Sequence, residues 1–183
     1  SFAVTDVPNQ LIARIAADSK YWLWINDQLV IFEGGLKRGP SPSGTYYDPV
    51  EIAPYLTKGS NTIAILLWHF GKDGFSHINS GKAALLFEAI APGLEIVSDA
   101  SWQCALYEAY QNTDAPFPNY RMPESNIRFD ARQAITNWNR TSFEGSLPGA
   151  VCVGKAGKAP FGELVERPIP QWKNSGLLSY VSV

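Results

Sequence analysis

YWLWINDQLVIFEGG, residues 21–35, sets the problem of this fold. Tyr21, Leu23 and Ile25 alternate with Trp22 and Trp24, so an extended backbone here is apolar on both faces. A strand buried on one side only shows one apolar and one polar face. Either both faces are covered, or the two tryptophans form a platform on which a ligand stacks. Asn26 and Asp27 follow, and both residue types tolerate positive φ. Between two apolar runs they predict a tight hairpin turn.

Outward from this hairpin, strand signals dominate. LIARIAAD (Leu11–Asp18) precedes it. NTIAILLWHF (Asn61–Phe70) reads as a long buried strand, KAALLFEAI as another, then LEIVSDASWQCALYEAY, AVCV and LVERPI. Helical periodicity is confined to single turns in Pro49–Leu56 and Asp130–Trp138. Many short strands divided by Gly, Pro, Ser and Asn predict an all-β fold, an antiparallel two-sheet β-sandwich or jelly roll with short helical turns. LIARIAAD, YWLWI, NTIAILLW and KAALLFEAI are its expected interior-facing strands. Gly34–Gly44 and Asn112–Ser125 are proline-containing and poor in core formers, so both are expected to be surface loops. Neither a repeat nor a low-complexity linker divides the chain, and residues 1–183 read as a single domain.

A formal net charge of −2 gives no electrostatic case for nucleic acid or an anionic membrane. No run approaches the roughly 18 apolar residues of a membrane span. Ser1 begins a polar-apolar alternation rather than a signal peptide, so a targeting segment is expected to lie upstream or to have been removed. Cys104 and Cys152 fit no metal spacing and are expected to be buried thiols, with a disulfide as the alternative. Trp 6, Tyr 8 and Phe 9 with 17% charged residues describe an aromatic-rich protein suited to uncharged ligands.

Catalytic constellations are missing. His69 and His77 have no metal-ligand spacing, and no G-x-S-x-G elbow accompanies them. Glycoside hydrolysis needs two carboxylates about 5–9.5 Å apart. Asp48, Asp73, Glu124 and Asp130 are the candidates, and nothing in the sequence brings two of them together. WHFGKDGFSHINSGK (Trp68–Lys82) is the most distinctive loop, with aromatic rings and short polar groups set among three glycines. Such a set suits a sugar. The competing reading makes Trp68 and Phe70 core, the histidines structural, and the loop a docking element.

Several stretches, taken in order, resemble a known family. YWLWINDQLV followed by YYDPVEIAPYLTKGSNTIAILLW is similar to the galactose-binding-like jelly rolls attached to glycoside hydrolases. In those modules an aromatic strand ends at Asn-Gly and is followed by Tyr-x-Asp, then Gly-x-Asn and an apolar strand. Asp27 stands where glycine is usual, a departure expected to change only the turn. SDASWQ resembles the Asp-x-Ser-Trp strand start of the same modules. IRFDARQAITNW and LVERPIP look like the Tyr-Asp-Ala-Arg…Trp and Arg-x-Ile-Pro signatures of the amino-terminal region of bacterial α-L-rhamnosidases, with Phe129 in place of the tyrosine.

The resemblance covers about Leu11 to Pro170. It implies a non-catalytic accessory domain of a larger glycoside hydrolase that is secreted or periplasmic. Inverting hydrolysis of terminal α-L-rhamnose would belong to a downstream (α/α)₆ barrel whose acidic motifs this chain lacks. The implied partners are a rhamnose-containing glycan, weakly bound, and the catalytic domain of the same polypeptide. A structural spacer without sugar affinity is the alternative. Some such modules hold rhamnose through calcium, but no clear acidic cluster is present here, so no cofactor is assigned. In the resembling strand Tyr21, Leu23 and Ile25 point between the sheets, and Trp22 and Trp24 lie outside, expected to be covered by Asn112–Trp138. Asp130 and Arg132 are expected to be structural ties. A sugar site is expected where the Trp68–Lys82 and Gly34–Tyr47 loops meet. There Tyr46 and Phe75 would offer aromatic faces, and Arg38, Asp73, His77 and Asn79 polar groups.

Overall fold

A computed structural model describes residues 1–35, 41, 43–74, 77–113 and 127–179. Among them twelve strands form: β1 (Phe2–Val4), β2 (Ile12–Asp18), β3 (Lys20–Ile25), β4 (Gln28–Gly35), β5 (Thr45–Glu51), β6 (Gly59–Asn61), β7 (Ile63–Trp68), β8 (Ala84–Ala91), β9 (Leu94–Val97), β10 (Tyr110–Asn112), β11 (Ile127–Phe129) and β12 (Leu164–Glu166). One sheet has the order β12-β5-β2-β8-β9 and a second β4-β3-β7; β1-β6 and β10-β11 form separate ribbons. The fold is all-β, as expected from the sequence. One pairing departs from the antiparallel rule: β12 runs parallel to β5, with Val165 opposite Tyr46.

Period-two alternation places the core. On β3, Tyr21, Leu23 and Ile25 are fully buried, while Lys20, Trp22 and Trp24 lie half-buried on the other face. The buried three pack with Ile31 of β4 and with Ile63, Ile65 and Leu67 of β7, their register partners. Ala13, Ile15 and Ala17 of β2, Val50 of β5 and Phe87 and Ala89 of β8 face them from the five-stranded sheet. Each fully buried Leu, Ile or Phe contributes about 1.5–3 kcal/mol.

Asn26 and Asp27 adopt φ of 48° and 71°, closing the two-residue hairpin with Ile25 opposite Gln28. Positive φ at both central residues matches the right-handed twist of the flanking strands. The Asn26 amide also donates to Tyr55 O (2.9 Å) and Asn61 Oδ1 (2.7 Å), and its oxygen accepts from Thr62 N (2.9 Å). Asp27 does more than shape the turn, contrary to expectation. Its carboxylate accepts from Thr141 N (2.6 Å) and Thr141 Oγ1 (3.0 Å), tying residues far along the chain to the hairpin. Glycine could not make that tie.

Other expectations need correction. β7 is half-buried along its whole length, because it forms an edge of the three-stranded sheet. Beyond Val97 the SDASWQCALYEAY stretch leaves the sheet. Ser101 turns onto the Asp99 carboxylate, and Trp102 donates from Nε1 to Val97 O at 2.8 Å. AVCV is no strand; Gly149 beside it makes an isolated bridge to Gln103. Cys104 and Cys152 are neither buried nor bonded, both being free and exposed. Single 3₁₀ turns do form at Ala53–Tyr55 and Ala131–Gln133. Most of Asn112–Ser125 lies outside the described residues.

Candidate functional site

The two loops expected to form a site are rooted beside one corner, where β2 passes into β3. Asp18 and Ser19 there are fully buried. Ser19 Oγ donates to Asp18 Oδ1 (2.8 Å), accepts from Phe70 N (3.0 Å) and lies 3.2 Å from His77 Nε2. Asp18 Oδ2 accepts from Ser80 N at 2.6 Å. His77 Nε2 and His69 Nδ1 both approach Asp18 Oδ1, at 3.2 and 3.7 Å. Ser, His and Asp together invite comparison with a catalytic triad. In a triad the imidazole uses one nitrogen for the serine and the other for the carboxylate. Here Nε2 faces both, and the serine proton goes to the carboxylate. This geometry anchors a loop; it does not activate a nucleophile.

The same corner carries the start of the other loop. A Cβ on Gly34 would lie 2.4 Å from Tyr21 Cζ, so only glycine lets this backbone pass the ring. Asp48, fully buried on β5, accepts from Tyr21 Oη (2.7 Å) and Gly35 N (2.9 Å) and pairs with Arg167 Nε at 2.5 Å. Arg167 also donates from Nη2 to Gly35 O. The aspartate of the Tyr-x-Asp stretch and the arginine of Arg-x-Ile-Pro, read separately in the sequence, thus form one buried ion pair. Burial first, and the Asp48 charge second, hold the Tyr21 phenol well above its usual range.

The expected site residues distribute as follows. Asp73 is exposed and accepts from Asn79 N at 2.7 Å, and Asn79 Oδ1 accepts from Gly81 N at 2.9 Å, so these two are together on one loop. His77, 1% exposed, faces inward on the anchor and supports the loop rather than its outer surface. Tyr46 is half-buried on β5, and among the described residues no hydrogen bond or ring contact joins it to Asp73 or Asn79. Arg38 and Phe75 lie outside the described residues. The carboxylate candidates are scattered: Asp48 is locked to Arg167, Asp130 to Arg132, and Asp73 sits on its loop. Glu124 lies outside the described residues. No three His, Cys, Asp or Glu side chains among the described residues come together as a metal-holding group.

A second concavity was not foreseen. Gln111, Arg128, Phe129, Asp130, Ala131, Arg132 and Gln133 line an open cleft of about 530 Å³. Arg132 forks onto Asp130 through Nε (2.8 Å) and Nη2 (2.7 Å), and these bonds hold the Asp130 carboxyl below the usual carboxylate range. Arg128 donates to Gln111 Oε1 at 2.7 Å. Asp130 and Arg132 were each expected to tie loop backbone or a charged partner, and Asp130 does accept from Arg132 N at 3.1 Å. They chiefly bind each other, and Arg132 is 89% exposed. Spacing two apart in an extended segment signals a shared side of the backbone, but not this mutual pairing.

The outer tryptophans are covered unequally. Trp24 packs edge-on against Trp138, with centroids 5.2 Å apart, so the extension reaches it through its last residue. Trp22 instead stacks on Trp68 (6.3 Å, 20° between planes) and meets the edge of Phe32 (6.3 Å, 87°), all within its own sheet. Trp68 in turn meets Phe70 edge-on at 5.3 Å.

No protein-family model and no curated protein matches the chain. Solved structures do. A GH78 family rhamnosidase of Bacillus sp. GL1 is similar over 92% of this chain and 17% of its own, with 29% identity and a TM-score of 0.74. The α-L-rhamnosidase from Dictyoglumus thermophilum matches 92% of this chain and 18% of its own, at 20% identity and a TM-score of 0.65. That of Streptomyces avermitilis, complexed with L-rhamnose, matches 90% of this chain and 13% of its own, at 18% identity and a TM-score of 0.56. The last two likenesses are of fold alone. The chain therefore resembles one small module of much longer rhamnosidases and spans less than a fifth of each.

Proposed function

We propose that this chain is a non-catalytic module of a larger, secreted or periplasmic α-L-rhamnosidase and that it assists hydrolysis of terminal α-L-rhamnose by a catalytic domain elsewhere in the polypeptide. The observation that carries the reading is the match to a 17% portion of the Bacillus rhamnosidase over nearly the whole of this chain. The finer role we assign is weak recognition of a rhamnose-containing glycan at the loop corner. Asp73 and Asn79 are the polar groups, and Tyr46, Phe75 and Arg38 complete the candidate set. Loops held by rigid strands are the usual place for such groups. Because hydroxyl binding in an open site competes with water, the expected affinity is roughly millimolar, about 4 kcal/mol.

NMR titration of the 183-residue chain with L-rhamnose and rhamnose oligosaccharides tests this, with shifts expected at 73 and 79–81 and lost in Asp73→Ala. Absence of shifts at high sugar leaves the spacer reading, which the aromatic outer face of the three-stranded sheet favours. Turnover of an aryl rhamnoside by this chain alone would overturn the non-catalytic assignment.

A further inference from the structure

The two sheets present opposite outer surfaces. Across the five-stranded sheet two outward pairs are polar, Arg14 of β2 bonding Glu88 of β8 (3.0 Å) and Tyr47 of β5 bonding Glu166 of β12 (3.3 Å), with Ile90 exposed beside them. Such a face meets water. Across the three-stranded sheet the register puts Trp22 beside Leu66 and Trp24 beside Ala64 and Leu29, with Trp68 and Phe32 completing the row. At one end of the row Lys20 Nζ lies 3.4 Å from Glu33 Oε2. Phe32 and Leu29 are 42% and 39% exposed.

We infer that this outer face is a protein interface and that its occupant is another domain of the same polypeptide. This rests on reading the chain as a module of a longer enzyme. Three observations select that occupant. Phe32 stands on edge to Trp22 (87°) and Phe70 to Trp68 (77°), so the face is ridged for interdigitating side chains instead of level for a sugar ring. Trp138 already covers Trp24 edge-on in this manner, and among the described residues Phe32 and Leu29 are the exposed apolar side chains of the face. The third is size. Three strands about 4.8 Å apart and six residues long at about 3.3 Å each span roughly 300 Å². A stable free complex buries about 800 Å² on each partner, more than this face supplies. A covalently tethered domain needs less, because tethering sets a high effective concentration. The similar modules sit in chains of which they are 13–18%, so such a neighbour is at hand. Trp172, 72% exposed in the irregular segment after β12, is a further apolar group that packing against more protein would cover.

Hydroxyl-radical footprinting of the 183-residue chain and of the full-length polypeptide tests the inference. Oxidation of Phe32 and Leu29 should fall several-fold in the full-length protein. Ile90, exposed on the outer face of the five-stranded sheet, should be labelled equally in both. Phe32→Glu, which removes an edge contact to Trp22, should lower the melting midpoint of the module within the full-length protein several degrees more than that of the short chain. Equal labelling of Phe32 in both proteins overturns the inference. So does protection in the short chain that grows with its own concentration, which would mean a second copy, or with added rhamnose oligosaccharide, which would mean a glycan platform. Failure of the enzyme reading is seen separately, as a full-length protein that does not cleave an aryl rhamnoside.

Discussion

Replacing Arg167 with alanine should be among the most damaging single changes in this protein. Its guanidinium spans two elements, reaching Asp48 on β5 through Nε and the Gly35 carbonyl through Nη2. Asp48 is fully buried and the Arg167 side chain only 10% exposed, so water cannot take over the role of the missing cation. Tyr21 Oη and Gly35 N would still donate to the stranded carboxylate, which keeps the loss within ordinary bounds. Removing one partner of a buried pair costs about 3–5 kcal/mol. At about 2–4 °C per kcal/mol for a chain of this size, the melting midpoint should fall by about 6–20 °C. Urea unfolding of Arg167→Ala, Asp48→Asn and the double variant measures the loss and the coupling. Arg167→Lys should fall between wild type and alanine, since an ammonium keeps the charge but not the fork. A loss under about 1 kcal/mol, typical of exposed pairs, would refute the claim that this pair joins the two ends of the Gly34–Tyr47 loop in a water-excluded site.

Alkaline stability should report Tyr21. Its folded pKa is raised, above all by burial, so its contribution is intact below about pH 10 and lost as pH rises through the folded value. Tyr21→Phe should flatten that alkaline loss in urea midpoints, while lowering neutral stability by about 1–3 kcal/mol through the lost bond to Asp48. Gly34→Ala forces a methyl into the Tyr21 ring and should cost about 1–3 kcal/mol in the same assay. Arg132→Ala, by contrast, should leave the melting midpoint where it is, because the fork onto Asp130 is solvent-exposed and local.

The hairpin, the alternation of β3 and the single helical turns were legible in the sequence because they are local. Two residues tolerant of positive φ set a turn, and a period of two sets which side chains share a face. The sandwich class follows from many such segments, and the order of motifs points to rhamnosidase modules. Burial of β7 was overestimated, since an apolar run reads the same on an edge as in the middle of a sheet. The loop-corner site was legible only as a set of residue types; the inward turn of His77 depends on a buried carboxylate fifty-nine positions earlier.

By itself, then, the sequence determined the hairpin, the facing of β3, the single 3₁₀ turns and the family it resembles, all properties of neighbours along the chain. Only the tertiary structure decided that Asp48 would meet Arg167, that Asp27 would hold Thr141, and that Trp138 would cover Trp24. Those contacts join residues more than a hundred positions apart. Such pairings are chosen by which packing excludes water while pairing most buried polar groups, and no local pattern encodes that choice.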